Sequence, residues 1–129
     1  MRKDMGIGAI IRPATLFVAG ILGGGGVALA AAATHGGDTH FLGAASTMCL
    51  AHAPALLALY AGYDRIRTAP VAALLLGLGT LIFAGDLINR HFGGSSLFPM
   101  AAPIGGLGMI AGWAVIAIGA FFRMGTAKA

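Results

Sequence analysis

His52 stands near the middle of an apolar run long enough to cross a bilayer, with Cys49 three residues before it and Pro54 two after. Hydrocarbon offers an imidazole no water, so a histidine at that depth is a functional candidate by default. The i,i+3 spacing puts Cys49 on the same helix face. Pro54 removes the backbone hydrogen bond to Leu50, which can bend the helix and free a carbonyl. The arrangement suits a haem ligand, a quinone hydrogen-bond donor or a proton relay. It also suits an uncharged imidazole bonded to a neighbouring helix, which is the reading favoured here. No carboxylate falls at the same depth, so a charged pair within one protomer is excluded. A haem held by two histidines needs a second at this level, and His35, His40 and His91 all lie at the rim. The residues single out no cofactor.

Asp86 is the second intramembrane polar candidate, with Asn89 at i+3 and Arg90 at i+4. That spacing predicts an Asp–Arg pair along the membrane boundary, with Arg90 snorkelling outward. An ion or proton site facing the bundle interior is the alternative. His35, Asp38, His40 and His91 supply three imidazoles and a carboxylate on one side of the membrane, a set that would suit Zn²⁺ or Cu²⁺ if the loops converged. The spacing matches no metal motif, so no metal site is assigned and solvated loop histidines are expected. His35 is also placed to cap its helix, ahead of a left-handed Gly36. Nucleotide-binding glycine loops, HExxH, CxxC and GxSxG are all missing from the sequence, and no enzyme activity is expected.

The elements that position these residues follow from hydropathy. Hydrophobic residues make up 58% of the 129-residue chain and charged residues 9%, against the roughly one quarter charged that is typical of soluble domains. Four apolar stretches at about 14–33, 41–62, 71–89 and 100–122 are each about long enough for a ~30 Å hydrocarbon core. Short connections then predict an all-α membrane protein, a four-transmembrane-helix antiparallel bundle forming a single domain over 1–129. A basic start, an apolar run and Ala31-Ala32-Ala33 also resemble a cleavable secretory signal, but the run has full spanning length, which favours a retained helix. The single cysteine excludes an internal disulfide.

Orientation is read from Lys and Arg. Arg2, Lys3, Arg12, Arg65, Arg67, Arg123 and Lys128 fall on one side and Arg90 alone on the other, so both termini are expected in the cytoplasm. The net charge of +4 therefore reads as a topology signal, and with no basic stripe or aromatic platform no nucleic-acid partner is expected.

Helices gain little by leaving lipid for one another, so small residues must allow close backbone approach. Gly20 and Gly24 form a GxxxG pair beside Gly23, Gly25 and Gly26. Gly105, Gly112 and Gly119 recur every seven residues, and Gly108 makes a second GxxxG with Gly112. Ala44, Ala51, Ala55, Ala58 and Gly62 line a stripe in the second span. Packing within one protomer is the expected use of these seams. Trp113 lies deep in the fourth span and is expected to pack. His35-Gly36-Gly37 and His91-Phe92-Gly93-Gly94 form a faint internal echo.

Several segments together resemble a known family. Val27 through Thr34-His35-Gly36 resembles its first-span ending, Leu50-Ala51-His52-Ala53 its second-span histidine, and the LIFAGDL stretch from Leu81 its third-span segment. Pro103-Ile104-Gly105-Gly106 followed by Gly112-Trp113 resembles its Pro-x-Gly-Gly…Gly-Trp signature. This is the YgdD-like family of small four-span bacterial inner-membrane proteins, related to the transmembrane-protein-256 type. Thr34 in place of the usual alanine and Pro54 within the second span depart from its pattern. The resemblance implies topology and a bacterial inner-membrane location, and it brings no activity with it.

The function expected is that of a structural or accessory subunit in the lipid bilayer, packing against another membrane protein or self-associating as a homo-oligomer. A proton- or ion-coupled transporter or channel using Asp86 is the alternative, although small four-span exporters usually carry an acidic residue in span one and this chain has none there. A quinone- or cofactor-interacting subunit using His52 is the second alternative.

Overall fold

The computed structural model describes residues 6–122. Arg2, Lys3, Arg123 and Lys128, four of the residues behind the expected orientation, lie outside them. Four helices follow in order, α1 (Ile7–Gly36), α2 (Phe41–Ala61), α3 (Ala69–Gly93) and α4 (Ala101–Gly119). All four are long and apolar enough to cross a membrane. The expected spans correspond to these helices, but α1 starts earlier than 14 and α3 runs beyond 89. Backbone hydrogen bonding continues wherever side chains permit, whereas hydropathy falls off where polar residues enter the interface.

Helix ends follow local chemistry. α1 and α3 both finish in a left-handed glycine, Gly37 at φ 73° and Gly94 at φ 74°, a conformation that costs glycine little. The second glycine of each His-containing loop thus plays the same part, and the left-handed turn expected at Gly36 is made by Gly37. Pro70 sits in the first turn of α3, where a missing N–H is harmless.

Consecutive helices run antiparallel, because their contacts pair rising with falling numbers. Gly26 lies against Cys49 and Leu50, Gly23 against Ala53, and Arg12 against Asp64. Across the other pair, Gly105 faces Gly79 and Phe83, Gly112 faces Leu76, and Gly119 faces Thr68. The helices do not close into a ring. α3 is central and packs on α1, α2 and α4, while the backbones of α1 and α4 never meet, nor do those of α2 and α4. Leu42, Leu56, Leu76 and Thr80 are fully buried between them.

Glycine decides where the closest approach falls. A Cβ added at Gly105 would stand 2.7 Å from the Gly79 carbonyl oxygen and 2.7 Å from the Phe83 amide nitrogen, and one at Gly79 would stand 2.8 Å from the Gly105 oxygen. Backbone meets backbone here, so no side chain can step aside. Gly108 and Gly112 continue this face. In α1 the contacts are made by Gly23 and Gly26, whereas Gly20, Gly24 and Gly25 have nothing within 4 Å. The packing expected of Gly20 and Gly24 is therefore not made within the protomer. In α2, Ala51 and Ala58 of the expected stripe face outward, and Ala45, Cys49, Ala53 and Leu56 form the buried face instead.

Gly105→Ala is expected to destabilise the protein by about 1–3 kcal/mol through overpacking. Gly106→Ala, whose new methyl meets nothing within 4 Å, should leave stability unchanged or slightly raised. Thermal unfolding in detergent distinguishes them, and equal melting temperatures would contradict the seam.

Candidate functional site

His52 is buried on the inner face of α2. Its Nδ1 lies 2.8 Å from the Met48 carbonyl oxygen one turn earlier, and its Nε2 accepts the Trp113 indole N–H at 3.1 Å. Since the indole is only a donor, Nε2 must be the bare nitrogen and Nδ1 carries the proton to Met48. Both nitrogens of a neutral imidazole are thereby satisfied. The rings are tilted at 58° with centroids 5.9 Å apart. Trp113 is 47% exposed, so it turns a face to lipid while its polar edge reaches inward. It therefore does more than pack. The bond joins α2 to α4, helices whose backbones do not touch.

Cys49 is buried one turn from His52, against Gly26. Close by, Ser46 donates to the Gly26 carbonyl at 2.7 Å, an interhelical bond absent from the sequence reading. A lone serine is averaged out over an apolar run of spanning length, and its only signal was its position one turn before Cys49.

Asp86 is completely buried. Its Oδ2 accepts Arg90 Nε at 2.9 Å, as the i,i+4 spacing predicts, and its Oδ1 accepts the backbone N–H of Leu97 at 2.8 Å. Arg90 also donates to the Ser96 hydroxyl, and Asn89 Nδ2 donates to the Ser95 carbonyl at 2.8 Å. Asp86 lies about 10 Å below the end of α3 at 1.5 Å per residue, so the connection after Gly94 folds back along the helix. Leu97 rests 3.4 Å from where a Gly85 Cβ would stand. The chain then enters α4 through Met100 at φ 67°, a left-handed conformation rare for a residue with a side chain. Asp86 and Asn89 hold this connection, and the carboxylate is fully engaged.

At the same end, Asp38 ties the α1–α2 connection to the last turn of α3. Its Oδ1 accepts the backbone N–H groups of His40 at 3.1 Å and Phe41 at 2.9 Å at the start of α2, where the helix dipole favours negative charge. Its other oxygen pairs with His91 Nδ1 near the end of α3. His40 instead tilts over Phe41. No cluster of three or more metal-binding His, Cys, Asp or Glu side chains occurs among the described residues. The N–H of Phe41 foremost, then the His91 ring, holds the Asp38 carboxyl below its ordinary pKa, against the opposing effect of partial burial. At the opposite end Arg12 pairs with Asp64 at 2.9 Å and lies over the Tyr60 and Tyr63 rings at 5.6 and 5.7 Å.

Four apolar helices of membrane-crossing length, with their buried charged and imidazole groups bonded inside, make this a multi-pass membrane protein. The chain belongs to the DUF423 family, proteins of unknown function, whose model matches residues 28–106. That stretch contains His35, His52, Asp86, Pro103, Gly105 and Gly106, and stops short of Trp113. Comparisons with curated proteins and with solved structures find no match. Among the signature residues, Gly105 lies in the α3 seam, Gly106 points to open space and Pro103 is exposed in the first turn of α4.

Trp113→Phe keeps the ring but leaves Nε2 of His52 without its donor. A loss of about 1–3 kcal/mol is expected for an orphaned buried acceptor, read by thermal unfolding in detergent, and an unchanged melting temperature would contradict the pairing.

The Asp38 contacts carry a pH dependence. Because the folded pKa lies below the ordinary value of 3.8, their contribution is complete above that value and is lost as pH falls through the folded one. The melting-temperature gap between the unaltered protein and Asp38→Ala should therefore narrow as pH falls below 3.8. A gap that stays constant would contradict the assignment.

Proposed function

We propose that this protein is a structural or accessory subunit of the bacterial inner membrane, acting through a helix surface on α1. The observation that carries the reading is the outward placement of Gly20 and Gly24. They form a GxxxG pair with nothing within 4 Å, flanked by Phe17 and Val27, which are 70% and 62% exposed. Glycine lowers helix stability in water and is useful in a bilayer where another backbone must come close. Within the protomer that approach is made by Gly23 and Gly26, which leaves the adjacent pair for a second helix, from another membrane protein or another copy of this chain.

The polar groups support the same reading. His52 has both nitrogens engaged and Asp86 both oxygens, so neither presents a free group to a quinone, an ion or a proton. Both termini in the cytoplasm follow from the positive-inside rule applied to the sequence. The Pro103-Ile104-Gly105-Gly106…Gly112-Trp113 pattern supports the resemblance to the YgdD-like family.

Gly20→Leu combined with Gly24→Leu should abolish association while leaving the monomer's thermal stability unchanged. Native mass spectrometry of protein extracted gently from its own membrane reads the first, through loss of the associated species, and thermal unfolding in detergent reads the second. An unaltered association pattern in the double variant would refute the proposal.

A further inference from the structure

α1 and α3 run parallel and meet only in part. Val18 touches the Gly77 position, and around this contact the space between the two helices forms a groove of about 200 Å³. Leu56 of α2 makes its floor, Ala14 and Ala73 keep it open, and the exposed side chains Ile10, Leu74 and Leu78 wall it. Its one hydroxyl, on Thr15, is already bonded to the Ile11 carbonyl at 2.7 Å. No hydrogen-bonding side chain is left to receive a polar ligand. A closed apolar cavity of roughly 150 Å³ suffices for benzene, so this groove takes a hydrocarbon segment. From Ile10 to Val18 it extends about 12 Å along the helix.

The groove begins at the basic end of the bundle. Ile10 and Ile11 precede Arg12, and exposed Arg65 and Arg67 occupy the connection that leads into α3. Asp64, the one carboxylate described at that end, is taken by Arg12. We propose that the α1–α3 groove binds one acyl chain of an anionic phospholipid whose headgroup phosphate meets Arg65 and Arg67. Basic residues beside an interhelical hydrocarbon slot are the arrangement that selects such lipids over zwitterionic ones. Neither Gly20 nor Gly24 lines the groove, so the inference stands apart from the association proposed above.

The test places the full chain in nanodiscs of equal phosphatidylglycerol and phosphatidylcholine and counts retained lipids by native mass spectrometry. One phosphatidylglycerol per protomer should be retained, with about tenfold preference over phosphatidylcholine. Ala14→Trp fills the groove and should eliminate the retained lipid with helical circular dichroism intact, and Leu78→Trp should do the same should the first variant fail to fold. Arg65→Gln with Arg67→Gln should keep a bound lipid but lose the headgroup preference. Equal retention of both lipids by the unaltered protein, or undiminished retention with the groove filled, would overturn the proposal.

Discussion

Hydrocarbon contains no hydrogen-bond partner, so each donor and acceptor carried into it must be closed by the protein itself. Much of this molecule can be understood as the set of closures that constraint requires. Thr15 and Thr80 bond back to carbonyls one turn earlier, at Ile11 and Leu76. Ser46 reaches the Gly26 carbonyl across α1 and α2. His52 uses its own helix for one nitrogen and Trp113 of α4 for the other. Asp86, the most demanding group, is met by an arginine side chain and a backbone amide together. Breaking any of these strands a polar atom, and the two that cross between helices, Ser46 to Gly26 and Trp113 to His52, also fix the relative rotation of those helices.

Polar closure sets rotation, and glycine sets separation. Without a hydrophobic gain from association, the α3–α4 contact depends on dispersion across backbones brought together at Gly79, Gly105 and Gly108. The α4 backbone approaches that of α3 alone, so this seam and the Trp113 bond to α2 are what hold the fourth helix. The open arrangement leaves α1 and α4 less covered than α2 and α3. These flanking helices are where lipid or another protein must complete the surface.

Much of the fold was legible in the sequence because hydropathy and span length are properties of a segment on its own. The Asp86–Arg90 pair was legible for the same reason, since i,i+4 neighbours meet on any helix. The partner of His52 was not, because pairing residues 61 apart depends on the rotation of two helices about their axes, which no local pattern encodes. Trp113 did carry a signal, as an indole N–H deep in a span requires an acceptor. Leu97 offered none, since the group that matters is its backbone amide. The glycine run at 23–26 misled for a geometric reason. Together with Gly20 it presents glycine on several faces at once, so the GxxxG spacing identified a candidate seam but could not choose which face turns inward.

The His52–Trp113 bond is the closure on which the placement of α4 most depends, and it can be observed directly. Proton-coupled ¹⁵N NMR of histidine-labelled protein in detergent or lipid reports which ring nitrogen of His52 carries hydrogen. A protonated Nδ1 and a bare Nε2, with the Trp113 indole proton shifted by a hydrogen bond that disappears in His52→Leu, is the result these contacts require. Hydrogen on Nε2, or an indole signal indifferent to His52, would contradict the closure of this site within the protomer and reopen it to an external ligand.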